Sequence, residues 1–170
     1  MMRHDAEYFA GPVRKPIFRE FSQPGRQIIV VSPIGQERMN LVDASLKQLS
    51  VKYDTRSLRI AVTARMTLEA FREEIARRLQ LPSQPLASEI VSTLFSRNIV
   101  LVVDALEKVT DSNFDLIVWL AELAKNVSDE AGFHEDSIVK IVFTGVVDTP
   151  NQLCQKVQSL RSRLAVISTT

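Results

Sequence analysis

Glycine is scarce in this 170-residue chain, with 5 residues, under half of the share of about 7% that is usual in globular proteins. Cysteine occurs once, at Cys154, which excludes a disulfide framework. The 2 histidines, His4 and His134, lie far apart in the chain and show no zinc-ligand spacing. No apolar run approaches the ~18 residues that a membrane span needs. The N-terminal Met1-Met2-Arg3-His4-Asp5-Ala6-Glu7 lacks the apolar core of a secretory signal. Together these absences read as a cytoplasmic chain with no membrane span. An excess of one charge is missing too: 21 Lys and Arg stand against 20 Asp and Glu, so no global field draws the chain to nucleic acid.

What is present is an ordinary globular composition, 45% hydrophobic and 24% charged, in a length that suits one buried core. The charge is unevenly spread. Residues 51–80 hold seven basic and four acidic side chains, whereas 104–130 hold two basic and seven acidic. Two differently solvated faces explain that asymmetry; so would complementary surfaces.

Residues 1–26 contain Gly11, Pro12, Pro16, Pro24 and Gly25 without sustained periodicity, and read as an N-terminal arm. From residue 27 to 170 strands and helices alternate in one core domain. Gln27–Ser32 is a β-branched run suited to a strand covered on both faces. Met39, Val42, Leu46 and Leu49 follow at helical spacing. Leu58–Val62 is a second strand. Thr67 then caps a helix with the stripe Leu68, Phe71, Ile75 and Leu79, supported by the pairs Glu73–Arg77 and Glu74–Arg78. A short helix near 86–96 precedes the most apolar strand, Asn98–Val103, which ends at Asp104. Ser112 is read as the cap of a helix over 113–126, and 127–137 as an acidic loop. A strand at Ile138–Phe143, a helix near 150–160 and a strand at Leu164–Ile167 complete the chain. This alternation predicts an α/β fold, a three-layer sandwich around a mostly parallel five-stranded sheet.

In such sheets ligands bind beyond the carboxyl ends of the strands, which directs attention to Ser32-Pro33-Ile34-Gly35-Gln36-Glu37-Arg38-Met39. A phosphate-binding loop reads G-x-x-x-x-G-K-[ST]: glycines let N–H groups close on phosphate, the lysine neutralises it, and the hydroxyl holds Mg²⁺. Here Ser32 and Glu37 stand at the glycine positions, Arg38 at the lysine and Met39 at the hydroxyl. Gly35 alone remains, and Glu37 sets a carboxylate where phosphate oxygens would lie. Val100–Glu107 is the second landmark. Asp104 ends a buried strand, as a Mg²⁺-holding Asp does, but Ala105 follows where a water-polarising Glu would stand. Glu107 lies beyond it and is expected to face elsewhere. A turn-opening role suits Asp104 equally.

The order of these segments resembles the nucleotide-binding core of AAA+ ATPases, with P-loop NTPase topology. It is most similar to the branch containing Cdc6 and origin-recognition initiators, general-secretory-pathway-A-type ATPases and MuB-like transposition ATPases. The likeness runs from Ile28 to Ile167 and is carried by Ser32–Leu49, Thr67–Pro82, Ile99–Thr110 and Lys140–Leu153. It implies a nucleotide-site role for Gly35, Arg38, Asp104 and Thr144, the last at the sensor 1 position; a hydroxyl capping a strand end suits Thr144 as well. It also implies an interface role for Arg161 and Arg163, where the family places its arginine finger, although solvated arginines fit those positions too. The sequence stops at Thr170, leading to the expectation of a core without the family's helical lid.

With the loop lysine, its hydroxyl and the catalytic Glu replaced, the expected function is a catalytically degenerate AAA+-like domain. It would serve as a protein-interaction, assembly or regulatory module, through a protein partner or self-association, without a cofactor. Two alternatives stay open. One is weak ATP binding or sensing, with phosphate held by Arg38 and Mg²⁺ in doubt. The other is DNA association through Arg56, Arg59, Arg65, Arg72, Arg77 and Arg78. His134 and Cys154 read as a surface histidine and a small packed thiol, and Trp119 as a packed helix residue.

Overall fold

The computed structural model describes residues 13–169; His4 and the first half of the expected arm lie outside them. The elements begin with helix α1 (Lys15–Ser22), strand β1 (Gln27–Val31), helix α2 (Gly35–Tyr53) and strand β2 (Arg56–Ala61). Helices α3 (Leu68–Leu79) and α4 (Ala87–Arg97) lead to β3 (Ile99–Asp104), and α5 (Phe114–Ala131) leads to β4 (Ile141–Gly145). Helix α6 (Thr149–Cys154) and β5 (Leu164–Ser168) complete the order.

The sheet runs β2-β3-β4-β1-β5 with every neighbouring pair parallel. Its strand burial explains that order. β1, β3 and β4 are buried at every residue, as strands covered by helices on both faces must be. β2 alternates, with Leu58 and Ile60 buried between exposed neighbours, because it is an edge. One apolar layer joins Phe71, Ile75, Ile90, Leu94, Leu120 and Phe143 on the α3–α5 side, and the other joins Phe21, Met39, Val42, Leu49 and Val142 on the α1–α2 side. The three-layer α/β sandwich with a parallel five-stranded sheet is therefore present.

Several local expectations need correction. The helix expected over 113–126 runs to Ala131, because Val127 and Ala131 extend its buried stripe through residues that had read as loop. Ser112 does not cap it; Ser112 sits in a 3₁₀ turn closed by Thr110 and Asn113. The fourth strand begins at Ile141 rather than Ile138. The last helix divides into α6 and a 3₁₀ segment, Gln158–Arg163. The expected Glu74–Arg78 pair forms, at 3.7 Å, but Arg77 pairs with Glu74 at 2.6 Å rather than with Glu73. Glu73 instead accepts hydrogen bonds from Ser83 and Gln84. Thr67 does cap α3, accepting from the Ala70 N–H at 3.0 Å.

The shortage of glycine is visible at helix ends. α2, α3 and α4 finish on left-handed residues that are Asp54, Gln80 and Asn98, with φ of 56°, 57° and 54°. A non-glycine residue there costs about 1–2 kcal/mol. Asn98 offsets its share, its amide donating to the carbonyls of Tyr53 and Asp54 at 3.1 and 3.0 Å.

Within the segment read as an arm, α1 packs against α2 and β1 and buries Phe21 completely. It is fastened by Lys140, fully buried just before β4. The Lys140 Nζ donates to the carbonyls of Glu20, Gln23 and Arg26 at 3.3, 3.0 and 2.9 Å. Burial lowers its pKa from 10.5 to about 7, with Glu20 working the other way. The unfolded chain therefore binds the extra proton between these values, so stability rises as pH climbs from about 7 toward 10. Urea midpoints across this range test the assignment: Lys140→Met flattens the rise, and an equal slope in the variant contradicts it.

Candidate functional site

The carboxyl ends of β1, β3 and β4 meet at a cleft of about 530 Å³, lined by the start of α2, by Arg59 on β2 and by the turn after β3. Arg38 is the loop cation brought to this point, one turn into α2, and it is buried to 5% exposure. Its Nη1 donates to the carbonyls of Ser32 at 3.2 Å and Gly145 at 3.1 Å. Its Nη2 is ion-paired with Glu107. The guanidinium thus ties the ends of two central strands to the turn beyond the third. Among the described residues, Arg38 Nε and Glu107 Oε2 are buried without a hydrogen-bond partner.

Glu107 corrects an expectation, since it faces the cleft rather than away from it. The cause is Ala105, whose left-handed backbone (φ 65°) reverses the chain directly after Asp104. The Thr144 hydroxyl stabilises that turn by accepting the Ala105 N–H at 2.8 Å while donating to Asp104 at 2.5 Å. Thr144 is fully buried, and both functions of its hydroxyl are committed within the protein. Asp104 also binds Arg59 at 2.7 Å. Burial acts to raise the Asp104 pKa, but the hydrogen bonds from Thr144 and Arg59 and the charges of Arg59 and Arg38 hold it below the ordinary carboxylate value. Asp43, on the cleft wall, shifts upward through burial, opposed by Arg59 and reinforced by Asp104.

The remaining loop positions are equally committed. Glu37 does not line the cleft; it accepts hydrogen bonds from the hydroxyls of Ser32 at 3.3 Å and Thr169 at 3.5 Å. A β-carbon on Gly35 would meet nothing within 4 Å, so that glycine is not sterically required. Gly145 is, because a β-carbon there would lie 2.6 Å from the Thr149 side chain. Met39 presents a thioether, which offers no hard oxygen ligand. With the Asp104 carboxylate shared between Thr144 and Arg59, the donor set does not fit Mg²⁺.

The structure brings Gly35, Arg38 and Asp104 to the cleft wall and places Thr144 directly behind it. Arg161 and Arg163 lie apart, at the amino end of β5 and so at the opposite end of the parallel strands. Arg163 is ion-paired with Asp129 on α5, and Arg161 is exposed beside buried Cys154. His134 stacks on Phe95 with ring centroids 4.5 Å apart, and Trp119 packs edge-on against Phe71 at 5.9 Å. Sequence reasoning did not assign Arg59 or Glu107 to the cleft; the one signal for Arg59 was an arginine amid an apolar strand.

Strand order, crossover helices and loop positions define the class: this is an AAA+ P-loop NTPase-like core fold. Among the solved structures it is similar to are the Aeropyrum pernix ORC1 protein in complex with DNA (TM-score 0.54, 14% identity, 94% of this chain and 46% of that one) and the Aeropyrum pernix ORC2 protein in its ADPNP–ADP complexes (TM-score 0.52, 16% identity, 99% and 47%). The chain thus spans about half the length of those proteins. No family model matches the chain, and no curated protein matches it in sequence. Among the described residues no helix is long and apolar enough to cross a membrane.

The committed hydroxyl gives a direct test. Thr144→Val strands the Ala105 N–H and removes a donor from Asp104, a loss of about 1–3 kcal/mol. Chemical denaturation reads that loss, and an NMR titration shows the Asp104 pKa moving up. A neutral substitution contradicts the arrangement.

Proposed function

We propose that this chain is a catalytically degenerate AAA+-like domain that works as a protein-interaction or assembly module. The observation that carries this reading is Arg38. The cation at the phosphate-binding lysine position is folded into the protein's own framework, bound to two backbone carbonyls and to Glu107. Transition-state charge stabilisers are worth orders of magnitude in rate, and here the positions of the loop lysine, its hydroxyl and the catalytic Glu are spent on structure or replaced.

A second reading, nucleotide held without Mg²⁺, draws on two features. The cleft remains open, and α2 begins at it with no side chain capping its first N–H groups, which favours an anion. DNA association has less support. Arg59 is paired with Asp104, Arg77 and Arg78 with Glu74, and Arg72 donates to the carbonyls of Gln84 and Pro85. Of the six arginines only Arg56 and Arg65 lack such a partner among the described residues.

Calorimetry separates the readings. The native chain is expected to give no heat with ATP, ADP or GTP at millimolar concentration. The triple variant Glu37→Gly, Arg38→Lys, Met39→Thr is expected to gain Mg²⁺-dependent binding. Tight nucleotide binding by the native chain overturns the proposal.

A further inference from the structure

The outer edge of β2 carries a second surface, which adjoins the cleft at Arg59. Along β2 the N–H of Arg56 bonds to the Asn98 carbonyl and that of Val62 to the Asp104 carbonyl, so the even-numbered residues face β3. Ser57, Arg59 and Ala61 therefore turn their backbone groups outward. The Arg59 carbonyl accepts from Arg78 Nη1 at 3.1 Å, while the backbone groups of Ser57 and Ala61 have no partner among the described residues.

One face of the same strand is also bare. Helix α2 packs mainly over β1 and β4, and the side chains of Ser57, Arg59 and Ala61 are exposed. The other face is covered by α3, whose last turn brings Arg78 to the edge. Arg56 and Arg59 stand on the strand itself, both exposed. The edge is thus a hydrogen-bonding ladder open at Ser57 and Ala61 and touched by Arg78 at the Arg59 carbonyl, with arginines on both of its faces.

We propose that this edge receives an acidic, extended segment of a partner protein, added as a sixth strand of about five residues. Main-chain bonds to Ser57, Arg59 and Ala61 supply affinity. Carboxylates at alternate positions share one face of the added strand and meet Arg59 there, while Arg56 stands on the other face. A carboxylate at Arg59 competes with Asp104 for the guanidinium, so docking at the edge is felt in the cleft. The surface names a partner class for the interaction module proposed above and rests on that reading for its use. Docking and nucleotide binding are measured separately, so either can fail alone.

The test uses the full chain and a fluorescein-labelled peptide of alternating Glu and Val, read by anisotropy, with amide hydrogen exchange at β2. Saturable binding is expected, with slowed exchange at Ser57, Arg59 and Ala61. Affinity should fall at least about tenfold for the one of two alternately N-methylated peptides, methylated at Glu or at Val, that loses every N–H aimed at β2, because a strand's N–H groups point to its two sides in turn. Ser57→Pro should weaken binding similarly, because the N–H it removes points outward and leaves the β2–β3 ladder intact. A Lys–Val peptide should not bind. Failure of the Glu–Val peptide to bind, binding indifferent to N-methylation, or equal binding of the Lys–Val peptide overturns the proposal. Protection of the same amides by a single-stranded oligonucleotide, with no protection by the peptide, does so too and assigns the edge to nucleic acid.

Discussion

A buried guanidinium must find acceptors, and the ones available to Arg38 organise the whole carboxyl end of this sheet. The carbonyls of Ser32 and Gly145 belong to adjacent strands, and Glu107 belongs to the turn beyond the third. Removing one member of such a buried pair leaves an uncompensated charge, which is far costlier than never having buried it. The contact geometry around it follows. Gly145 has no room for a β-carbon beside Thr149. Ala105 adopts a left-handed conformation that glycine would fill with less strain, because the turn must bring Glu107 back.

Beside this clasp lies a second chain of contacts, Arg59 to Asp104 to Thr144 to the Ala105 N–H. The two are joined through the turn at Ala105, and together they leave the cleft nearly balanced in charge: Arg38, Arg59 and Lys108 against Asp43, Asp104 and Glu107. A phosphate site needs an excess of donors and positive charge facing the ligand. Here the same kinds of group face one another.

How far the sequence revealed this depends on the range of the interaction. β1 and β3 were legible because their unbroken Ile, Val and Leu runs have one physical explanation, burial on both faces. The Thr67 cap was legible because its partner lies three residues away. The replaced loop residues Glu37, Arg38 and Met39 were legible against the phosphate-loop pattern, and the AAA+-like fold from the order of the segments. The fate of Arg38 was not, since its partners Gly145 and Glu107 lie 107 and 69 residues away. Glu107 was misread because the reversal depends on a left-handed alanine, which no local preference announces. The end of α5 was misread because Ser128, Asp129 and Glu130 look like loop, while Val127 and Ala131 carry the buried stripe past them.

The central claim, that Arg38 is a structural cation paired with Glu107, is tested most directly by a double-mutant cycle in chemical denaturation. Arg38→Met is predicted to cost about 3 kcal/mol or more. The double variant with Glu107→Gln should lose at least about 1 kcal/mol less than the sum of the two single losses. Strictly additive losses, or an Arg38→Met variant within about 0.5 kcal/mol of the native chain, would contradict it and return Arg38 to the cleft as a cation free to meet a ligand.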